Sequence, residues 1–315
     1  MGIVYKAVDR VLGRTVAIKT IRRELVSKSA DYRAYRDRFF REARIFGSLS
    51  HPSIVALYDI GETKEEIPFL AMQYVPHPSL AELGRRLSLD QSMWLLAQLA
   101  SALDYAHSRG VIHRDIKPSN VLVGEGEEVK VADFGVAKLL GTEFTRSQTQ
   151  FGTPGYMSPE QVLGTEIAGS ADIFSLGVVA FELLSETKPF PGRDVHAVLH
   201  KIVHTNPVLP AGLEDSGLVS EKWQNVFSKA LAKDPQKRHR TASALVSELV
   251  ELCPGSWLGD LIESRPDTAT FRFTELDDAD TLTLWGLGAS HHPGRSGVPG
   301  PDGAPTTPLA TRDGN

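Results

Sequence analysis

Two short polar motifs, separated by an apolar run, constrain this chain more than any other feature. Residues 113–120 read HRDIKPSN, and the triplet DFG begins thirteen residues after Asn120. The run between them starts with VLV, which favours a β-strand. A chance match to both motifs at this separation is rare, whereas solvated loop charges need no fixed spacing. The sequence therefore predicts a site built around Asp115 and Asp133.

The two motifs resemble the catalytic loop and the metal-binding triplet of the protein kinases. The resemblance implies an α+β fold of two lobes, a small β-rich lobe followed by a larger helical one, and phosphoryl transfer from ATP. It implies that Asp115 accepts or orients the proton of the acceptor hydroxyl and that Lys117 stabilises the transferring group. Asn120 and Asp133 would bind the Mg²⁺ or Mn²⁺ ions that bridge the ATP phosphates, since hard cations prefer oxygen ligands.

A lysine near the start of the chain resembles the phosphate-binding lysine of the same family. Residues 16–19 read VAIK, so Lys19 lies in a β-branched run, and the resemblance implies contact with the α- and β-phosphates. In the family this lysine pairs with a glutamate on the next long helix. Glu42 is the predicted partner. Glu24 is the alternative, but it follows the strand too closely to lie in mid-helix.

Several apolar positions fall into the family register of the adenine pocket and the regulatory spine. Met72 resembles the gatekeeper, and the backbone of Gln73 and Val75 would bond the adenine edge. The residues that would enclose the base are Val4, Ala17 and Leu122. Those that would stack as the spine are Phe46, Leu57, His113 and Phe134. All of these side chains would also pack in a core without any functional role.

The substrate class is indicated by the segment that follows the second motif. Pro118 follows Lys117, and residues 152–161 read GTPGYMSPEQ, which resembles the serine/threonine kinases and most of all the eukaryotic-like kinases of bacteria. In that class Thr153 would bond Asp115 and Lys117. The expected partners are therefore ATP and proteins with Ser or Thr acceptors.

Two structural supports are also implied by the resemblance. Glu160 is expected to pair with Arg238, and Asp172 is expected to cap the backbone of the catalytic loop. Neither residue would take part in the chemistry.

Regulation by phosphorylation is expected between the DFG triplet and Glu160. In the family, the arginine at position 114 binds a phosphorylated activation loop, because a phosphate forms charge-assisted bonds with a guanidinium group. Four hydroxyl residues are candidates for autophosphorylation: Thr142, Thr145, Ser147 and Thr149. Self-association of two copies would allow this reaction in trans.

The chain departs from the family pattern at its start. The phosphate-covering loop of the family reads Gly-x-Gly-x-x-Gly-x-Val, and only Gly2 and Val4 match its end. Backbone amides of that loop cover the β- and γ-phosphates, so ATP would bind more loosely without it. Either Met1 is an internal methionine of a longer protein, or the chain is a weakened or inactive kinase-like binding module. We favour the first explanation, because a decayed enzyme would be expected to lose some of the downstream catalytic residues.

Charge and composition divide the chain near Cys253. Up to this residue 30 acidic residues balance 30 basic ones, and after it 9 acidic residues face 4 basic ones, so the net charge of −5 lies in the tail. The last thirty residues contain 7 Gly and 5 Pro, a share typical of disorder. We predict a kinase domain over residues 1–253, with lobes at about 1–75 and 76–253, and a largely disordered tail over 254–315 of open role.

The same composition excludes several classes of protein. The chain has no surplus of basic residues, so no nucleic-acid partner is expected. A single cysteine excludes an internal disulfide framework. No run of about eighteen apolar residues is present, so no membrane span is expected, and a cytoplasmic location is predicted.

Periodicity places the secondary structure coarsely. Strands are predicted over residues 3–8, 15–21, 54–60 and 68–75. Helices are predicted around 35–49, and over 91–108, 171–185, 194–204, 221–231 and 242–252.

Overall fold

The computed structural model describes residues 3–20, 32–83, 87–124, 126–134, 154–209 and 221–253, and two further strands at 270–275 and 282–287. Only the backbone is described over 32–35 and in the two further strands. Seven predicted positions lie outside the described residues: Gly2, Glu24, Thr142, Thr145, Ser147, Thr149 and Thr153.

A four-stranded antiparallel sheet forms the amino-terminal lobe. Its strands are β1 (Ile3–Asp9), β2 (Arg14–Thr20), β3 (Leu57–Glu62) and β4 (Pro68–Gln73), in the spatial order β1-β2-β4-β3. The helix α1 (Tyr32–Gly47) lies between β2 and β3 in the chain and packs against β3 and β4. β1 therefore forms one edge of the sheet, next to the strand that carries Lys19.

The segment before β3 corrects one prediction. Residues 54–60 read as one strand, but β3 begins only at Leu57. The preceding backbone pairs elsewhere: Val55 donates to the Val131 carbonyl (3.0 Å), and Val131 donates to the Ser53 carbonyl (2.8 Å). The apolar run thus pairs partly with the sheet and partly with Val131 of the other lobe, which periodicity alone does not reveal.

Helices dominate the carboxy-terminal lobe. They are α2 (Leu89–His107), α3 (Pro159–Leu163), α4 (Gly169–Ser185), α5 (Val195–His204), α6 (Glu221–Ala230) and α7 (Ala242–Glu251). Between α2 and α3 lies a short hairpin of β5 (Val121–Val123) and β6 (Val129–Val131). The helix α2 starts before the predicted position, because Ser88 and Gln91 form a reciprocal cap at its first turn.

The centre of this lobe is built on α2 and α4. Both helices are buried over most of their circumference, including Leu96, Leu99, Phe174 and Leu176. Helices that are apolar all round lie in the interior of a domain, whereas amphipathic helices lie at its surface. The predicted two-lobed α+β fold is confirmed by this arrangement.

The last helix of the carboxy-terminal lobe, α7, is fixed to α2. The carboxylate of Asp104 in α2 accepts the amides of Ala242 (2.8 Å) and Ser243 (2.9 Å), which fixes the start of α7. Cys253 follows α7 and is buried, and its Sγ donates to the carbonyl of Leu249 (3.4 Å). Farther on, β7 (Thr270–Glu275) and β8 (Leu282–Leu287) form an antiparallel pair. Within the described residues, no helix combines the length and the apolar character needed to cross a membrane.

Candidate active site

The catalytic-loop motif is anchored by its histidine. His113 is fully buried, and its Nδ1 accepts the amide of Asp115 (3.2 Å). Because Nδ1 is an acceptor, Nε2 carries the proton and donates to the carbonyl of Ala132 (2.9 Å). The amide of Ala132 donates in turn to the carbonyl of Asn120 (2.9 Å). These bonds join the HRDIKPSN loop to the segment that leads into the DFG triplet.

Asp172 in α4 caps the backbone of the catalytic loop, as predicted. Its buried carboxylate accepts the amides of His113 and Arg114, both at 2.7 Å, and a bond from Nε2 of His107 (2.8 Å). Burial alone would raise the pKa of Asp172, but the bonds from His107 and the Arg114 amide outweigh it, so the pKa lies below its ordinary value. The carboxylate therefore holds the loop as an anion.

His107 is a support that sequence reasoning missed. It lies at the end of α2, 65 positions before Asp172, and no local pattern joins the two. Gly169, at the start of α4, makes room for it, since a Cβ there would lie 2.9 Å from Nδ1 of His107. Arg114 has a positive φ of 69°, a conformation unfavourable for a non-glycine residue, and the bond from its amide to Asp172 helps to hold it.

Three predicted catalytic residues meet within the loop. Nζ of Lys117 lies 2.6 Å from Oδ2 of Asp115. Nδ2 of Asn120 donates to the carbonyl (2.7 Å) and to Oδ2 (3.0 Å) of Asp115. Asn120 is buried, whereas the Asp115 side chain keeps 36% of its surface exposed. The carboxylate is thus oriented by two neighbours and still open to a substrate.

One partner of the strand lysine is the carboxylate of the DFG triplet. Nζ of Lys19 in β2 lies 2.6 Å from Oδ1 of Asp133, across the two lobes. Asp133 has a φ of 67°, so its backbone is in the left-handed region. Glu42 is half-buried on α1, and its predicted pairing with Lys19 stays a prediction.

The donor set fits a hard divalent cation. Asn120 uses its amide nitrogen to bind Asp115, and Asp133 uses Oδ1 to bind Lys19. Among the described residues, no hydrogen bond engages Oδ1 of Asn120 or Oδ2 of Asp133. Carboxylate and amide oxygens are the ligands that Mg²⁺ takes in proteins, usually with water and phosphate oxygens completing the shell.

The register of the sheet brings the predicted nucleotide-binding residues to one face. Val4 lies opposite Lys19, and Ala17 lies opposite Met72. Directly opposed residues share a face, and residues two apart on a strand do so as well. Met72 is buried, whereas Val4 is 57% exposed at the sheet edge.

The end of β4 is tied to the segment before β3. The amide of Gln73 donates to the carbonyl of Ala56 (2.8 Å), and the predicted contact of Gln73 with an adenine edge stays a prediction. Val75 and Leu122 are half-buried and pack against the core.

Three of the four predicted spine residues are in contact. The Phe134 ring is buried, stacks on Phe46 with 6.1 Å between the ring centroids, and meets His113 edge-on at 4.5 Å. Leu57, the fourth, is half-buried and packs against the same core. The spine residues thus bind α1 to the loop that holds Asp133.

The predicted ion pair of Glu160 and Arg238 is confirmed. Two parallel bonds of 2.7 and 2.8 Å join the groups, and both residues are buried. The neighbouring Gln161 donates from Nε2 to the carbonyl of Arg114 (2.6 Å). The start of α3 is therefore tied both to the lower part of the lobe and to the catalytic loop.

Comparison with known proteins agrees with this geometry. The protein kinase domain model matches residues 1–250. A probable serine/threonine-protein kinase of Streptomyces coelicolor is 35% identical over 268 residues, which cover 82% of this chain and 39% of the relative. Serine/threonine-protein kinase PknB of Mycobacterium leprae is 34% identical over 310 residues, or 96% of this chain and 46% of the relative. The chain thus spans less than half the length of these relatives. On the match over residues 1–250 and the paired loops around Asp115 and Asp133, the chain belongs to the protein kinase family and is similar to serine/threonine kinases of bacteria.

Proposed function

We propose that the chain transfers the γ-phosphoryl group of ATP to serine and threonine hydroxyls of proteins. The observation that carries the proposal is the contact network of the two motifs, in which Lys117 and Asn120 hold Asp115 while Lys19 holds Asp133. Phosphoryl transfer depends on positioning and charge neutralisation more than on covalent help from the protein, and this network supplies both.

Asp115 is the proposed acceptor for the proton of the substrate hydroxyl. As the hydroxyl oxygen bonds to the γ-phosphorus, the bond to the β–γ bridging oxygen breaks and ADP leaves. The hydroxyl proton passes to the Asp115 carboxylate, which Lys117 and Asn120 keep in place. Lys117 is the proposed counter-charge for the group in transfer.

Asn120 and Asp133 are the proposed ligands of Mg²⁺ or Mn²⁺, through Oδ1 of Asn120 and Oδ2 of Asp133, which no described residue engages. When bound, the metal neutralises phosphate charge and fixes the phosphates relative to the acceptor. Lys19 contributes positive charge at the same place, and we assign it to the α- and β-phosphates. The ion pair with Asp133 keeps Lys19 in position, and the Lys19 side chain is only 13% exposed.

The remaining assignments belong to the same proposal. The other residues that we assign to ATP binding are Gly2, Val4, Ala17, Met72, Gln73, Val75 and Leu122, with Glu42 as a second partner of Lys19. The kinase domain covers residues 1–253, followed by a tail. Autophosphorylation falls on residues between Asp133 and Glu160, and two copies associate for it. A cytoplasmic location is part of the same proposal.

A labelling assay with γ-labelled ATP tests the proposal. The purified chain is expected to label itself and a general protein acceptor, and Asp115→Asn is expected to lower the rate by about 10²–10⁴-fold. Asp37→Asn is the matched control, because Asp37 is an exposed acid on α1. Equal background labelling in all three proteins would contradict the proposed activity.

A further inference from the structure

The helix α5 carries three histidines that the proposed phosphoryl transfer does not use. His196, His200 and His204 follow one another at four-residue spacing, and all three are exposed. With 3.6 residues per turn, positions four apart lie one above the other on the same face of a helix. The rings of His200 and His204 are in contact, with 4.7 Å between their centroids and 46° between their planes.

We propose that His200 and His204 form a two-histidine binding site for a divalent transition metal ion such as Zn²⁺, Cu²⁺ or Ni²⁺. Two histidines at i and i+4 on a helix present their imidazole nitrogens to one point, which is how helical zinc motifs supply two of their ligands. Imidazole suits Zn²⁺, Cu²⁺ and Ni²⁺, whereas Mg²⁺ prefers oxygen. The site is thus chemically distinct from the one at Asn120 and Asp133.

The helix α5, which carries this histidine pair, is held in place by its own contacts. Its first turn is capped by Asp194, whose Oδ1 accepts the amide of Ala197 (2.9 Å), and its opposite side buries Ile202. Lys201 follows His200 directly in the sequence. Its Nζ donates to the carbonyl of Pro191 (2.6 Å), so this hydrogen bond holds the positive charge of the neighbouring lysine in place. The last turn of a helix also carries partial negative charge, which favours a bound cation beside His204.

A metal ion at this site is expected to keep some of its coordination positions open to water. Among the described residues, no group of three or more His, Cys, Asp or Glu side chains is placed to hold a metal ion. The two imidazoles therefore supply two positions, and water supplies the others. An open site of this kind binds more weakly than a closed structural site and exchanges its metal readily.

Calorimetric titration of the full chain with Ni²⁺, Cu²⁺ or Zn²⁺ tests the site, with protein purified without a histidine tag and in a buffer that does not bind metals. One equivalent is expected to bind. His200→Ala and His204→Ala are each expected to weaken binding at least tenfold. His196→Ala removes a histidine of the same helix that is not part of the pair, and it is expected to retain the affinity within about twofold.

A second control addresses the adjacent histidines of the tail. The double variant His291→Ala, His292→Ala is expected to bind as the wild type does. Thermal unfolding without metal is expected to be unchanged in His200→Ala and His204→Ala, because both side chains are exposed. The proposal is overturned if no metal binds, if binding survives in His204→Ala, or if it is lost only in the tail variant. Since the readout is metal binding, none of these outcomes depends on kinase activity.

Discussion

The two lobes hold their parts of the candidate site in different ways. In the carboxy-terminal lobe, the loop with Asp115 is fixed by buried groups, His113 and Asp172, which bind its backbone directly. In the amino-terminal lobe, the face with Lys19 and Val4 depends on a sheet whose first strand is an edge, and Val4 is more than half exposed. On the proposed function, the carboxy-terminal lobe sets the geometry of the reacting groups, and the amino-terminal lobe affects how tightly the nucleotide is bound.

This difference predicts where substitutions are tolerated. Changes beneath the catalytic loop are expected to alter stability and activity together. Changes on the sheet face are expected to alter nucleotide binding or turnover with little effect on folding. Four substitutions test this contrast.

Asp172→Ala is expected to have the largest effect. It leaves two backbone amides and His107 without their common acceptor in a buried place, so the free energy of unfolding should fall by about 3–5 kcal/mol. Urea denaturation measures the loss, and labelling activity should fall with it. Asp37→Ala, an exposed acid on α1, is the control and is expected to stay within about 0.5 kcal/mol of the wild type. A similar small change in both variants would show that the cap is dispensable.

Lys19→Met separates activity from stability. The substitution removes the charge beside Asp133 and the proposed phosphate contact, so the labelling rate should fall by about 10²–10³-fold. Stability should change by less than about 1 kcal/mol, because the Asp133 partner is partly exposed. Lys64→Met, in the exposed turn before β4, is the control for loss of a lysine. If Lys19→Met unfolded the protein as readily as Asp172→Ala, the proposed contrast between the lobes would be wrong.

A histidine at the junction of the lobes predicts a pH dependence. Burial, with Lys130 and Arg109 nearby, lowers the pKa of His51 to about 4. Its Nδ1 accepts the amide of Ser53 (3.1 Å), and Nε2 lies 3.2 Å from the hydroxyl of Ser101 in α2. The folded state favours the neutral ring, so this stabilisation is complete above about pH 6.5 and is lost as the pH falls toward 4.

The substitution His51→Gln is expected to reduce this loss of stability at low pH. Between about pH 6.5 and 4 the variant should lose about 1–2 kcal/mol less stability than the wild type, a figure reduced for the partial exposure of the ring. The measurement is urea denaturation across this range. His196→Gln, an exposed histidine on α5, should keep the wild-type slope. Identical slopes in all three proteins would contradict a buried neutral His51.

The same contrast explains what the sequence can predict. The catalytic loop is a contiguous motif, so its residues can be assigned from the sequence alone, and the contacts among Asp115, Lys117 and Asn120 follow from their closeness in the chain. The helices α2 and α4 are predictable because their apolar residues are dense. The cap by Asp172 follows from the family resemblance, but the bond from His107 to Asp172 is harder to predict, because the two residues lie on different helices and no local pattern couples them.

Long-range pairing also limits prediction on the sheet side. The structure shows an ion pair of Lys19 with Asp133, 114 positions away, which no local pattern indicates, while the pairing with Glu42 that the family pattern implies stays a prediction. The predicted start of β3 is wrong because residues 53–55 pair with Val131 instead of continuing the strand. In both cases the deciding partner belongs to the other lobe, so it is fixed only when the lobes meet.

The substitution Val4→Ala is expected to have the smallest effect. It tests whether a single side chain of the sheet face contacts the nucleotide. Because Val4 is 57% exposed, the free energy of unfolding should change by less than about 0.5 kcal/mol. If its methyl groups cover the adenine, their loss should cost about 1 kcal/mol of binding, which raises the dissociation constant for an ATP analogue about fivefold. Val8→Ala is the matched control, since Val8 lies on the same face of β1 and opposes Thr15, away from Lys19. Equal dissociation constants for the two variants would remove Val4 from the nucleotide site, whereas a change confined to Val4→Ala would show that the exposed edge strand takes part in binding.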